Sequence, residues 1–210
     1  MIEHELFQRS ELFLQNLIQT IDKPLYETSS RLCASGNFTQ ISIEHSCAVR
    51  ALSETRMSTS AFVVMRAQFE ALLRAIWLLH CANDHQVQRL SAPLDPDGEQ
   101  LAKNLAQPQE MLDALSKVPV AKVPFDALTE FKGSSWKALN SFTHAGLHPL
   151  KRLVEGYPLE LIFANIRMSN ALALMAGMHF CTLTGIRDMQ KQLLPFYDRY
   201  KDCLPPHRPG

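Results

Sequence analysis

Apolar residues recur along the chain at intervals of three and four, the spacing that lines one face of an α-helix. Between residues 3 and 22, Leu6, Leu12, Phe13, Leu17 and Ile21 form such a stripe, and Pro24 ends or kinks it. A second segment runs through Leu25, Leu32 and Cys33 to Gly36, which reads as a C-terminal stop. Thr39 or Ser42 is then placed to cap a helix through Val49 and Leu52 towards Met57. The next helix starts at Ser58 or Ser60 and ends near Asn83. From Phe62 to Leu79 it has no glycine or proline and is apolar on most of its circumference, the pattern of a buried bundle centre.

Further on, Ser91 to Gly98 reads as a surface loop in which Asp97 caps a helix through Leu101 and Leu105. Pro108 to Leu115 is a short helix, and Val118 to Pro124 an extended connector, since each proline disfavours helical geometry in the residue before it. Phe125 to Phe131 is helical, and Ser134 or Ser135 caps another helix up to His144. Gly146, Pro149 and Gly156 interrupt the pattern around one short turn at Leu150 to Val154. Pro158 suits the first turn of a long helix, Gly185 its end, and Arg187 to Lys201 a last helix. No stretch alternates with period two. The expectation is an all-α protein: one helical bundle over residues 1–203 with a frayed tail at 204–210, a buried central helix at about 58–83 and a long C-terminal helix at about 158–184.

Composition narrows the class. With 210 residues, 46% of them hydrophobic, the chain can build one sizeable core. Its 21 cations balance 21 anions, so no net field draws a phosphate backbone by counterion release. Five scattered cysteines without a C-x-x-C pair suit reduced thiols in a cytosol. The acid-bearing start lacks the pattern of a signal peptide. The longest apolar run, Ala171 to Ile186, has about 16 residues against the roughly 20 needed to span a bilayer, and His179 interrupts it. A cytoplasmic protein without a membrane partner is expected.

Arg66, Glu70 and Arg74 stand four apart on the central helix and fall on a stripe roughly 80° wide, which Trp77 and Cys81 continue. Ionisable groups on a helix otherwise fit for a core must be paired or face water. Three arrangements meet that demand. Glu70 bridges the arginines as an internal strut; the stripe lines a polar cleft whose guanidinium donors bind phosphate or carboxylate; or it pairs with a symmetry mate. A second set, Ser134 to His144, places Trp136, Asn140 and His144 on one face with Ser141 beside them. His144 at a helix C-terminus is favoured electrostatically when charged, or it faces Glu70 or Arg66 as a general acid/base.

Two histidine groupings, His144 with His148 and His80 with Cys81 and His85, lack the further ligands of a metal site, so no metal and no cofactor is expected. Dinucleotide, Walker and nucleophile-elbow fingerprints are absent. Met168, Met175 and Met178 read as core filler.

The stretch Arg66-Ala-Gln-Phe-Glu-Ala-Leu-Leu-Arg-Ala-Ile-Trp77, followed later by Ser141-Phe-Thr-His144, resembles uncharacterised bacterial all-helical proteins that pair an Arg-x-x-x-Glu helix with a later helix ending in histidine. These are distantly similar to the HEPN superfamily. That resemblance implies a helical bundle, commonly dimeric, of the kind found in RNA-cleaving toxins, phage-defence systems and nucleotide-binding partners. The HEPN ribonuclease signature, an arginine and then a histidine after four to six residues, is met in spacing by Arg74 and His80, although Ala75 stands where a polar residue belongs and the two side chains would point apart on a helix.

The resulting candidates are Arg66, Glu70 and His144 as catalytic groups and Arg74, Trp77, Asn140 and Ser141 as ligand contacts. If the protein is an enzyme, metal-independent ribonuclease chemistry is expected, with His144 moving the proton and arginines stabilising phosphate charge. The alternatives are a non-catalytic interaction or regulatory module, antitoxin-like or a homodimeric scaffold, and a bundle that binds a small anion through Arg66 and Arg74. Candidate partners are accordingly a second copy, RNA or a nucleotide, and another protein.

Overall fold

A computed structural model describes residues 2–102 and 105–206. Among them the regular structure is helical throughout, with no strand: α1 (Ile2–Ile21), α2 (Ser30–Glu54), α3 (Ser58–His80), α4 (Asp84–Leu90), α5 (Pro96–Ala102), α6 (Pro108–Leu115), α7 (Lys122–Thr143), α8 (Leu147–Glu155), α9 (Leu159–Leu183) and α10 (Leu194–Arg199). The all-α expectation holds. α2, α3 and α9 pack against one another at the centre; α1 lies along α9, and α6 and α7 cover another side of α3. α9 is long and apolar enough to cross a membrane by length and composition, and half of that stretch is buried in the bundle.

The central seam is made of small side chains. On α2, Ser35, Thr39, Ser42, Ser46, Val49 and Ser53 alternate at spacings of four and three, and none is more than 1% exposed. A buried hydroxyl needs a partner. Ser35 donates to the Ala75 carbonyl at 2.8 Å, and Ser42 to the Gln68 carbonyl at 3.1 Å, both on α3. Thr39 returns its hydroxyl to Ser35 O of its own helix at 2.8 Å. Where the three helices meet, Gln68 Nε2 donates to Ser169 O at 2.9 Å and Ser169 Oγ donates to Gln68 Oε1 at 2.6 Å. The Ser46 hydroxyl, 3.1 Å from Ser169 Oγ, then donates to it.

His179 of α9 sits in the same seam, buried, with Nε2 2.9 Å from Ser35 Oγ. Because Ser35 gives its one proton to Ala75 O, the imidazole N–H donates to the hydroxyl. Burial pushes the His179 pKa down to about 3, helped by His80, whose ring lies 6.5 Å away, and opposed by the Ala75 carbonyl. The group is a neutral structural hydrogen-bond donor.

Several boundaries differ from the sequence expectation, each for a local reason. Gly36 does not stop a helix, and Thr39 and Ser42 do not cap one: α2 is continuous and its cap is Ser29, whose hydroxyl accepts from Leu32 N. The hydroxyls that looked like caps are turned into the seam. Asp95, not Asp97, caps α5 by accepting from Gly98 N at 2.7 Å. Leu105 follows after residues 103 and 104, which lie outside the described residues, and is not helical. The connector at Val118 to Pro124 is a 3₁₀ turn at Pro119–Ala121 followed by the start of α7, where Pro124 falls in the first turn and sacrifices no helical bond. α7 then runs unbroken past Ser134, which donates back to Phe131 O at 3.1 Å. The segment expected as one last helix divides into a 3₁₀ turn, Met189–Gln192, and α10. Packing also continues past residue 203: Leu204 is buried, and Tyr197 OH donates to Pro205 O at 2.8 Å. The rest of the expected frayed tail, 207–210, lies outside the described residues.

Candidate functional site: the α3–α7 face

α7 crosses α3 in antiparallel register, fixed by aromatic pairs. Phe62 stacks on Phe142 with centroids 4.6 Å apart, and Phe69 on Phe131 at 5.0 Å. Between these two anchors lies Arg66, facing Trp136 and Asn140, with Glu70 one residue past Phe69.

Arg66 is held by three partners. Its Nε and Nη2 each donate to Glu70 Oε1 at 2.9 Å, Nη1 donates to Asn140 Oδ1, and the guanidinium carbon lies 4.1 Å from the centroid of Trp136. Its side chain is 15% exposed and that of Glu70 32%. The planar fork therefore ties one turn of α3 to α7 through an ion pair, an amide bond and a stacked ring. Lys132 extends the brace: its Nζ lies 5.4 Å from the Trp136 centroid and donates to Gln109 Oε1 on α6 at 2.6 Å. Of the three arrangements open to this stripe, the geometry matches the strut most closely, although Glu70 reaches across to α7 through Arg66 rather than bridging two arginines.

The other candidates separate from this group. Arg74 turns towards α2, its guanidinium carbon 5.7 Å from the Phe38 centroid, and has no hydrogen bond or ion pair among the described residues. Burial lowers its pKa against the pull of the Glu70 carboxylate. Trp77, expected as a ligand contact on the same stripe, is 3% exposed and belongs to the hydrophobic core. The angular position was right; the bundle closes over that end of α3. His144 caps α7 at its C-terminus and is exposed. The antiparallel register sets it level with or beyond Phe62, so about 12 Å of helix separates it from Glu70 at 1.5 Å per residue. The structure does not bring His144 to Glu70 or Arg66.

Ser141 has a local task. α7 ends in a Schellman turn: Gly146 N donates to Ser141 O at 2.7 Å and Ala145 N to Phe142 O at 3.4 Å, with Ala145 in the left-handed region at φ 50°. Ser141 Oγ then accepts from His148 N at 3.0 Å and seats the first turn of α8. A Cβ at Gly146 would stand 2.6 Å from that hydroxyl, so any other residue there would push the Ser141 side chain off its bond to His148 N. This turn also parts His144 from His148, which do not share a helix. Among the described residues no group of three or more His, Cys, Asp or Glu side chains is placed to hold a metal ion.

Residues 39–206, from the middle of α2 to beyond α10, match the model described as a family of unknown function (DUF6988). The chain belongs to this family. No curated protein and no solved structure matches the chain. The DUF6988 region takes in the whole α3–α7 brace, the seam apart from Ser35, and α8, and leaves α1 outside.

Sequence reasoning passed over two features of this region. Gln68 is the polar centre of the seam; its signal was a lone amide in an apolar run, opposite a helix whose hydroxyls repeat in heptads. The other is α8, where Leu147, Leu150, Leu153 and Val154 are 61–80% exposed and no residue is buried. Its signal was leucine at three-residue spacing among basic residues, hidden by the glycines and proline that suggested only a turn.

Proposed function

We propose that this protein is a non-catalytic interaction module: a helical bundle that presents a docking surface rather than a reaction centre. The observation that carries the reading is the commitment of Arg66. Three of its five N–H donors and its guanidinium face are engaged by Glu70, Asn140 and Trp136, while the exposed His144 stands one turn of α7 beyond Asn140 and shares no hydrogen bond with Arg66, so acid/base group and phosphate-binding group are not joined. A balanced charge supports the same reading, because a protein that grips RNA through its backbone needs a cationic surface. The HEPN-like ribonuclease, in toxin or phage-defence biology, remains the competing proposal.

Purified protein incubated with structured and single-stranded RNA distinguishes the two. No cleavage, and no growth arrest on expression, is expected. Cleavage abolished by His144→Ala in a folded protein would overturn the module reading. A second reading has its own observation: Arg74 is a half-buried cation without a hydrogen-bonded counter-ion, the condition of a small-anion site. Thermal-shift measurements with inorganic phosphate on wild type and Arg74→Gln test it: an Arg74-dependent rise in Tm supports a ligand-binding bundle, and its absence removes that reading.

A further inference from the structure

The helix α8 is anomalous within this fold. At nine residues it is shorter than a helix that holds itself together in water, and it buries none of its side chains. It is nonetheless sharply two-sided. At 100° per residue, Leu147, Leu150, Leu153 and Val154 fall within an arc of about 120°, with Lys151 and Glu155 on its Leu147 flank and His148 and Arg152 further round. Two glycines set it off from its neighbours: Gly146, which no side chain could replace without meeting Ser141, and Gly156 at φ 85°. Met57 at the start of α3, 54% exposed, and Leu159 at the start of α9, 40% exposed, lie at the same end of the bundle, where Thr59 and Tyr157 are hydrogen-bonded at 2.7 Å.

We propose that α8 is the contact through which a second copy of this chain docks about a two-fold axis. This rests on the module reading and names its partner. Three observations favour a second copy. The six apolar residues together leave on the order of 600 Å² in water, more than scattered surface leucines and close to the ~800 Å² per partner of a standard interface, to which the flanking polar side chains add. The patch is self-complementary in charge: Lys151 and Arg152 lie mid-helix and Glu155 at its end, so an antiparallel pair sets Glu155 of one copy beside Lys151 of the other. An anionic lipid surface fits less well, because Glu155 and Glu160 stand beside the apolar face and the chain as a whole is neutral.

Light scattering and sedimentation equilibrium of the full chain over a micromolar dilution series test the proposal. The expected mass is twice 23.7 kDa. Leu150→Glu and Leu153→Glu, at exposed positions where the monomer fold does not depend on the side chain, should raise the dissociation constant at least about 100-fold with an unchanged circular dichroism spectrum. Leu94→Glu, at a residue 95% exposed elsewhere, should leave the dimer intact. A monomer at every concentration, or a dimer indifferent to both α8 variants, overturns the proposal. So does sedimentation of the wild type with phosphatidylserine-containing vesicles that Leu150→Glu abolishes. A monomer that cleaves no RNA removes only this partner; RNA cleavage by a dimer removes only the module reading.

Discussion

Removing the buried imidazole should flatten the pH dependence of stability. His179 is neutral in the folded bundle, with its pKa pushed down to about 3, against an ordinary value of 6.5 once unfolding returns it to water. As pH falls below 6.5 the unfolded chain takes up a proton that the folded chain refuses, so stability is lost on acidification and is complete above that value. At 1.36 kcal/mol per pH unit, the loss between pH 7.5 and pH 5 is about 2 kcal/mol from this one residue. His179→Gln keeps an N–H able to donate to Ser35 and cannot titrate. Urea unfolding of both proteins at the two pH values gives four free energies, and the wild type should lose about 2 kcal/mol more than the variant. His80, whose pKa burial also lowers, is present in both proteins and contributes to both losses. Equal losses would refute the assignment of His179 as a neutral buried donor, whatever the variant costs at neutral pH.

Arg66→Ala should destabilise by about 2–3 kcal/mol in urea unfolding, since it strips Glu70 and Asn140 of their donor and Trp136 of its cation; a loss under 1 kcal/mol would mean the brace is ornamental. Gln68→Ala should cost about 2–3 kcal/mol in the same assay by leaving Ser169 without its amide partner inside the core. Gly146→Ala should cost about 1–2 kcal/mol, and less in a Ser141→Ala background where the hydroxyl it meets is gone; additive effects in that double-mutant cycle would show that the clash is not with Ser141.

The helical class was legible because apolar periodicity is strong in α3 and α9, and the short helix Pro108–Leu115 was bounded as read. What failed was punctuation. Serine, threonine, glycine and proline were read as stops and caps, yet α2 and α7 run straight through them: the α2 hydroxyls bond across to α3, and Pro124 sits where a helix has no bond to lose. Sequence spacing knows which residues share a face but not what lies opposite. It put Arg66 and Glu70 one turn apart on a stripe, where they do pair, but matched them across the bundle with His144, whereas the residue of α7 that meets Arg66 is Asn140. It placed Trp77 on the same face without foreseeing its burial, and it ended a helix at His144, as found, without showing what that end faces.

The hydroxyl seam on α2 bears on how firmly the hairpin is aligned. Small side chains alone would make two smooth cylinders, free to shift lengthwise by a turn at little loss of fit. Ser35 and Ser42, each hooked to one particular carbonyl of α3, act as detents that forbid such a slip. The brace at Arg66 and the exposed helix α8 are both carried by helices seated on that alignment, so a chain lacking these hooks could keep its helices and its core and still present its outer surfaces out of step.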